Sequence, residues 1–203
     1  HPIGTATNLF KGSYNGNGRT ISGIKSPSAT NIFMGLFGAI DGATIQNVRL
    51  ADVNLASDNS LGGIAGIANT NSVISNCAVI SGSLNGEATG GIAGENYGVI
   101  KECINNASVT SSGGYSVGGI AGSNEYVIEL CVNNGQIQSD SYTGGSAGES
   151  TGDVIKCFSS GLISGGDASF VGGIVGGMSG STNVVQCASN SLIVGGIISG
   201  GIV

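Results

Sequence analysis

One five-residue motif governs what this chain can fold into. Gly-Gly-Ile-Ala-Gly stands at 62–66, 90–94 and 118–122, and returns as GGSAG at 144–148 and GGIVG at 172–176. The starts are 28, 28, 26 and 28 residues apart, and a degenerate copy, MGLFG, lies at 34–38. A partial copy, GGIISG, stands at 195–200. Self-similarity at such a period is the mark of a stacked repeat architecture.

Other positions keep the same frame. Cys77, Cys103, Cys131, Cys157 and Cys187 fall one per repeat, with Val48 in the equivalent place upstream. Three residues before them stand Ile45, Ile74, Ile100, Ile128, Val154 and Val184. Three residues after the last four cysteines come Asn106, Asn134, Ser160 and Asn190. A further apolar column runs through Leu55, Leu84, Val109, Ile137, Ile163 and Ile193. Three short apolar segments per repeat, separated by Gly, Asn, Ser and Thr, read as strands with turns between them. Helix is disfavoured, because Gly and β-branched residues lower helix propensity and no 3.6-residue pattern persists.

The expected fold is therefore all-β: a parallel β-helix or β-solenoid with about 28 residues and three short strands per coil. Parallel crossovers favour the right-handed form. Coils stacked at roughly 4.8 Å put Ile over Ile and Cys over Cys, and an Asn stack at a bend can satisfy backbone groups. The whole chain, 1–203, reads as one domain of about six repeats over 34–203. Residues 1–33 read as a first coil that caps the open end.

Composition narrows the function. Only 9% of residues are charged and the net charge is −6, with six Lys and Arg spread over 203 residues. No basic stripe exists for a phosphate backbone, so nucleic acid is not an expected partner. No apolar run reaches the ~20 residues of a membrane helix. Glycine, at 39 residues, follows no Gly-X-Y period, which excludes collagen. The opening HPIGTATNLF has no charged segment leading into an apolar one, and the end is apolar. A piece of a larger surface protein is the expectation.

The repeat resembles the GLUG-motif family. GLFG at 35–38 fits its Gly-Leu-hydrophobic-Gly signature, GIAG, GSAG and GIVG are looser copies, and FKGSYNGNGRTISGI at 10–24 is similar to the segment that precedes such repeats. The resemblance spans nearly the whole chain. It implies a secreted or surface-anchored bacterial protein, an adhesin or a non-catalytic region of an IgA-specific metallopeptidase. The peptidase chemistry does not carry over, because it needs His-Glu-x-x-His and the chain holds one histidine, His1.

Candidate chemistry was sought in each polar column. An odd number of cysteines stacked with parallel Cβ vectors favours buried free thiols over disulfides. A line of thiols does not converge on a metal, and no metal or other cofactor is expected. Glu95 and Glu149 share a column two coils apart, roughly 10 Å at ~4.8 Å per coil, with Ser123 between them. That spacing lies near the upper end for an inverting glycosidase pair, yet no basic residue joins them. Lys101 and Glu129 in adjacent coils are expected to form an exposed ion pair.

The turns before each glycine motif place Asp58, Glu87, Asp140 and Asp167 near one rim, with Tyr115, Tyr142 and Phe170 close by. Stacked aromatics beside carboxylates can hold sugars or a weakly bound Ca²⁺, though no DxDxDG loop marks a defined calcium site. Tyr115, Asp140, Tyr142, Asp167 and Phe170 are the candidate ligand contacts; solvated turns with incidental aromatics are the plainer reading. The glycine strand itself has two apolar faces. One is expected to form a flat outer strip, fit for a loop, a partner or self-association; alternatively its Gly and Ala simply permit a tight bend.

The expected function is a non-enzymatic structural or adhesive module of a secreted or cell-surface bacterial protein, in contact with host glycoprotein or polysaccharide. The alternatives are a lyase- or glycosidase-like β-helix enzyme and an accessory domain of a large secreted protease.

Overall fold

The computed structural model describes residues 1–26, 33–111, 113, 115–166 and 169–202. The described residues contain strands and turns and no helix. The strands pair in parallel with their equivalents in neighbouring coils and build five sheets of seven, seven, six, seven and six strands. The chain is a β-solenoid of about six coils.

One coil shows the plan. Val73–Ser75, Ala78–Val79, Gly82–Asn85, Ala88–Gly90 and Ala93–Asn96 each belong to a different sheet. There are thus five strands per coil, not three, because two of the apolar segments are broken in the middle. The isoleucine–cysteine segment breaks at the residue before each cysteine. Asn47, Asn76, Glu102, Leu130, Lys156 and Gln186 all adopt φ between 50° and 57°, which turns the chain through the left-handed region. The glycine segment breaks after its first glycine, so GGIAG is a corner and not a strand.

That corner corrects the outer-strip expectation. Ile64, Ile92, Ile120 and Ile174 are fully buried, and so are Ala65, Ala93, Ala121, Ala147 and Val175. Leu61, Val117 and Val171 are buried as well. Among the described residues the glycine segment therefore presents no flat apolar strip outward. Space explains the glycines. A Cβ on Gly119 would fall on the Gly145 carbonyl and on the Asn133 side chain, and one on Gly118 would fall on the Ala121 carbonyl. Gly122 lies directly under the backbone of Thr89.

Inside, the columns stack in register. Ile74 pairs with Ile45 and Ile100, and Ile100 with Ile128. Leu55, Leu84, Val109, Ile137 and Ile163 line another sheet. All five cysteines are free; Cys77, Cys103, Cys131 and Cys157 are buried and Cys187 is half-buried. Each of these four buried thiols donates to the carbonyl two residues before it, at 3.2–3.4 Å, across the left-handed turn. Burial pushes the Cys131 thiol up from its ordinary value, and the neighbouring Cys103 and Cys157 thiols add to the rise. Hydrogen bonds from Cys131 and Cys187 pull Cys157 the other way. No cation stands in the column to balance a thiolate, so the array is read as neutral thiols.

Two buried ladders of amide side chains run beside the apolar columns. Asn105 donates to Asn133 Oδ1 at 2.9 Å. Asn133 also accepts from the Gly135 N–H and donates to its carbonyl. Asn96 donates to Asn124, and Asn124 to Ser150 Oγ. The asparagines that satisfy the bend lie two residues after the cysteines, not three. Asn106, Asn134 and Ser160 do form a ladder, but an exposed one that touches no backbone.

At the first coil, Ser13–Asn15 and Thr20–Ser22 pair with Thr44–Gln46 and Arg49–Ala51. Ile3 and Phe10 bridge to Phe37 and Ile40. Phe37 is packed by Phe10 and Tyr14 at 5.0 and 5.5 Å between ring centroids. Residues 27–32 of the expected cap lie outside the described residues.

Candidate functional site: an acidic groove ending at an aromatic pair

Two parallel lines of outward-facing positions run along the coil stack. One passes through Ala88, Ser116, Tyr142 and Phe170. The other passes through Glu95, Ser123, Glu149 and Gly177. Because parallel strands pair without offset, each line places one residue per coil. Between the lines lies a cavity of about 400 Å³. Ala88, Ser116 and Ser123 give it a floor of small side chains; Asn59, Glu87, Glu95, Tyr115 and Glu149 rise around it.

The carboxylates are held differently. Glu95 accepts from Tyr97 Oη at 3.1 Å and, on its other oxygen, from the fully buried Ser60 hydroxyl through a short hydrogen bond. Its orientation is thus fixed from both sides. Tyr97 in turn is pushed up to about 12 by burial and by the charge and hydrogen bond of Glu95, with Glu125 adding to it. Glu87 and Glu149 have no side-chain partner among the described residues. Neither does any Lys, Arg or His line the cavity.

The aromatic residues divide. Tyr115 is 71% exposed and stands over the cavity as a free platform. Tyr142 and Phe170 stack on one another, centroids 5.1 Å apart and planes 19° apart. The Tyr142 ring occupies the space that a side chain at Gly177 would need, so the pair closes the groove beyond Glu149. Asp140 is exposed in the preceding turn and does not line the cavity. Asp167 lies outside the described residues. Lys101 and Glu129 sit in register but form no ion pair; among the described residues the one ion pair is Lys11–Asp41 at 3.0 Å. Two flexible, half-buried side chains in contact with water gain too little to be held together.

In the sequence, Glu87 and Tyr115 stand together on the turn rim and Glu95 and Glu149 together in a strand column. The fold brings both pairs to one cavity. The turn residues and the outer face of the strand after the glycine corner meet only because the corner is sharp. A second aromatic site was missed: Tyr97 and Tyr126 flank a depression of about 370 Å³ with Thr70 and Asn71. No group of three or more His, Cys, Asp or Glu is arranged to hold a metal among the described residues. No described helix is long and apolar enough to cross a membrane.

Fold and groove together define an all-β solenoid with a concave polar strip along its axis. No family profile and no curated protein matches the chain. Among solved structures, the chain is similar to a crystal structure of a candidate immunoglobulin A1 protease from Bacteroides ovatus. The identity is 21%, with a TM-score of 0.51, over 92% of this chain and 55% of that one. The chain thus spans about half the length of that structure, and the likeness is one of fold.

Proposed function

We propose that this chain is a non-enzymatic glycan-contact module of a GLUG-type repeat protein, secreted or displayed on a bacterial surface. The observation that carries the reading is the groove: an exposed aromatic platform, oriented carboxylates and small hydroxyl side chains along a rigid stack of coils. Aromatic faces pack on sugar rings, and carboxylates accept from paired sugar hydroxyls. The rigid scaffold keeps the ordering cost of binding low. The likeness to half of a candidate protease supports an accessory place in a larger secreted protein. The GLUG resemblance supports an adhesive one.

One observation favours a second reading. Glu87, Glu95 and Glu149 line one cavity, and paired carboxylates in a cleft are the equipment of glycosidases. Against it stands the anchoring of Glu95 by Ser60 and Tyr97, which ties up a lone pair on each oxygen.

Screening the protein on an array of oligosaccharides tests both. The first reading predicts binding that Tyr115→Ala weakens at least tenfold, with no release of reducing ends. Turnover that Glu95→Gln abolishes would establish the enzyme instead, and no binding to any glycan would end both.

A further inference from the structure

The only charged side chains lining the groove among the described residues are carboxylates. On the reading that it is a glycan site, we propose that it selects sugars by charge, favouring amine-bearing over neutral chains and rejecting uronate- or sialate-type acidic ones.

Glu87, Glu95 and Glu149 contribute three carboxylates to the cavity, and no cationic side chain stands among the described lining residues. None of the six Lys and Arg residues lines it: Lys11 is paired with Asp41, Arg19, Lys25 and Arg49 belong to the first coils, Lys101 lies on a different sheet, and Lys156 is in the turn that follows a strand of that same sheet. A concave, low-dielectric wall lined by one sign of charge concentrates its field inside the groove. An acidic sugar placed there meets like charge with nothing to neutralise it, and desolvating its carboxylate makes this worse. An ammonium meets the unpartnered Glu87 and Glu149, and it can also sit against the Tyr115 face.

The neutral part of the ligand has its own contacts. Asn59 supplies an amide donor beside the acceptor-only carboxylates, while the Ser123 hydroxyl donates to Glu125. The two lines of outward positions run along the solenoid axis with one residue per coil. An extended chain lying parallel to that axis therefore meets equivalent positions in successive coils. The Tyr142–Phe170 pair stops it beyond Glu149.

The test compares three oligosaccharides of equal length by titration calorimetry at low and at high salt: glucosamine oligomers, their N-acetylated counterparts, and galacturonate oligomers. The expected ranking at low salt is amine above acetylated by about tenfold, with no measurable binding of the uronate. High salt should narrow the gap, as screening requires. Glu87→Gln with Glu149→Gln should remove the amine preference, bringing the amine and acetylated affinities within about threefold of each other. Glu129→Gln, on another sheet, should leave the ranking unchanged. Binding of the uronate at the strength of the acetylated chain would overturn the charge selection. So would an amine preference that Glu129→Gln erodes as much as the groove pair does. In either case a loss of all binding in Tyr115→Ala would leave the glycan reading standing. No binding of any of the three would overturn that reading itself.

Discussion

Two adjacent asparagines offer the sharpest quantitative test of the coil geometry. Asn133 is fully buried, while Asn134 is exposed on the next residue. Asn133 accepts from Asn105 at 2.9 Å and from the Gly135 N–H at 3.2 Å, and donates to the Gly135 carbonyl at 3.1 Å. A fourth contact, to Ser159 Oγ at 3.5 Å, lies at the limit and is given no weight. Three buried bonds at about 1 kcal/mol each set the cost of Asn133→Ala near 3 kcal/mol. The cavity left beside Gly119 adds to this. Two of the partners keep alternatives: Asn105 still reaches the Ala107 carbonyl, and Gly135 N–H still reaches the Asn105 carbonyl. The Gly135 carbonyl loses its side-chain partner.

Asn134 bonds only Asn106 and Ser160, at the surface, where water replaces both. Asn134→Ala should therefore cost under about 0.5 kcal/mol. Val79 fills the Asn133 column two coils earlier, so Asn133→Val restores volume without restoring bonds. It should recover only the cavity part of the loss. Urea unfolding followed by far-ultraviolet circular dichroism reads all three. With a slope of about 2 kcal/mol/M, Asn133→Ala should lower the midpoint by about 1.5 M and Asn134→Ala by under about 0.3 M. Equal losses at 133 and 134, or a loss under about 1 kcal/mol at 133, would refute the assignment of the buried ladder.

Other perturbations follow from the same packing. Thr89 and Thr143 share a column with Leu61, Val117 and Val171. Thr89 Oγ1 is buried without a partner among the described residues, while Thr143 donates to the Ser141 carbonyl at 3.2 Å. Thr89→Val should raise stability by about 1 kcal/mol and Thr143→Val should lower it, as thermal unfolding would report. Gly119→Ala should cost about 3 kcal/mol or prevent folding, whereas Gly113→Ala, with open space around it, should be neutral within about 0.5 kcal/mol by the same measurement. The Cys131 thiol is raised in the folded state. Above the unfolded thiol value of about 8.5 the unfolded chain therefore holds fewer protons than the folded one, and stability must fall with rising pH. The slope is about 1.4 kcal/mol per pH unit for each such thiol. Cys131→Val, matching Val48, should flatten the decline in a pH series of urea melts.

The repeat frame made the solenoid legible, because stacking demands that equivalent residues recur at one period. It could not reveal the number of strands. Asn47 and Asn76 are residues that tolerate a left-handed turn, but Glu102, Leu130, Lys156 and Gln186 adopt it with no local preference of their own. The coil above and below imposes the turn there. The GGIAG corner was misread as a strand for a related reason: alternation assigns faces only where the chain runs straight. The Asn-Asn pairs at 105–106 and 133–134 fit the frame equally well, and only the position of the turn decides which member points inward. Tyr115 could be picked out as a rim residue. Its meeting with Glu95 and Glu149 could not, because it depends on how sharply the coil bends between the turn and the next strand.

On the proposed reading, function resides in the groove between Tyr115 and Glu149. Amide chemical-shift mapping of the labelled protein, titrated with a neutral or amine-bearing oligosaccharide, tests it most directly. The prediction is saturable shifts confined to the amides of Glu87, Glu95, Tyr115, Ser116, Ser123 and Glu149, lost in Tyr115→Ala. Shifts centred instead on Tyr97 and Tyr126, or scattered over the sheets without saturation, would contradict it.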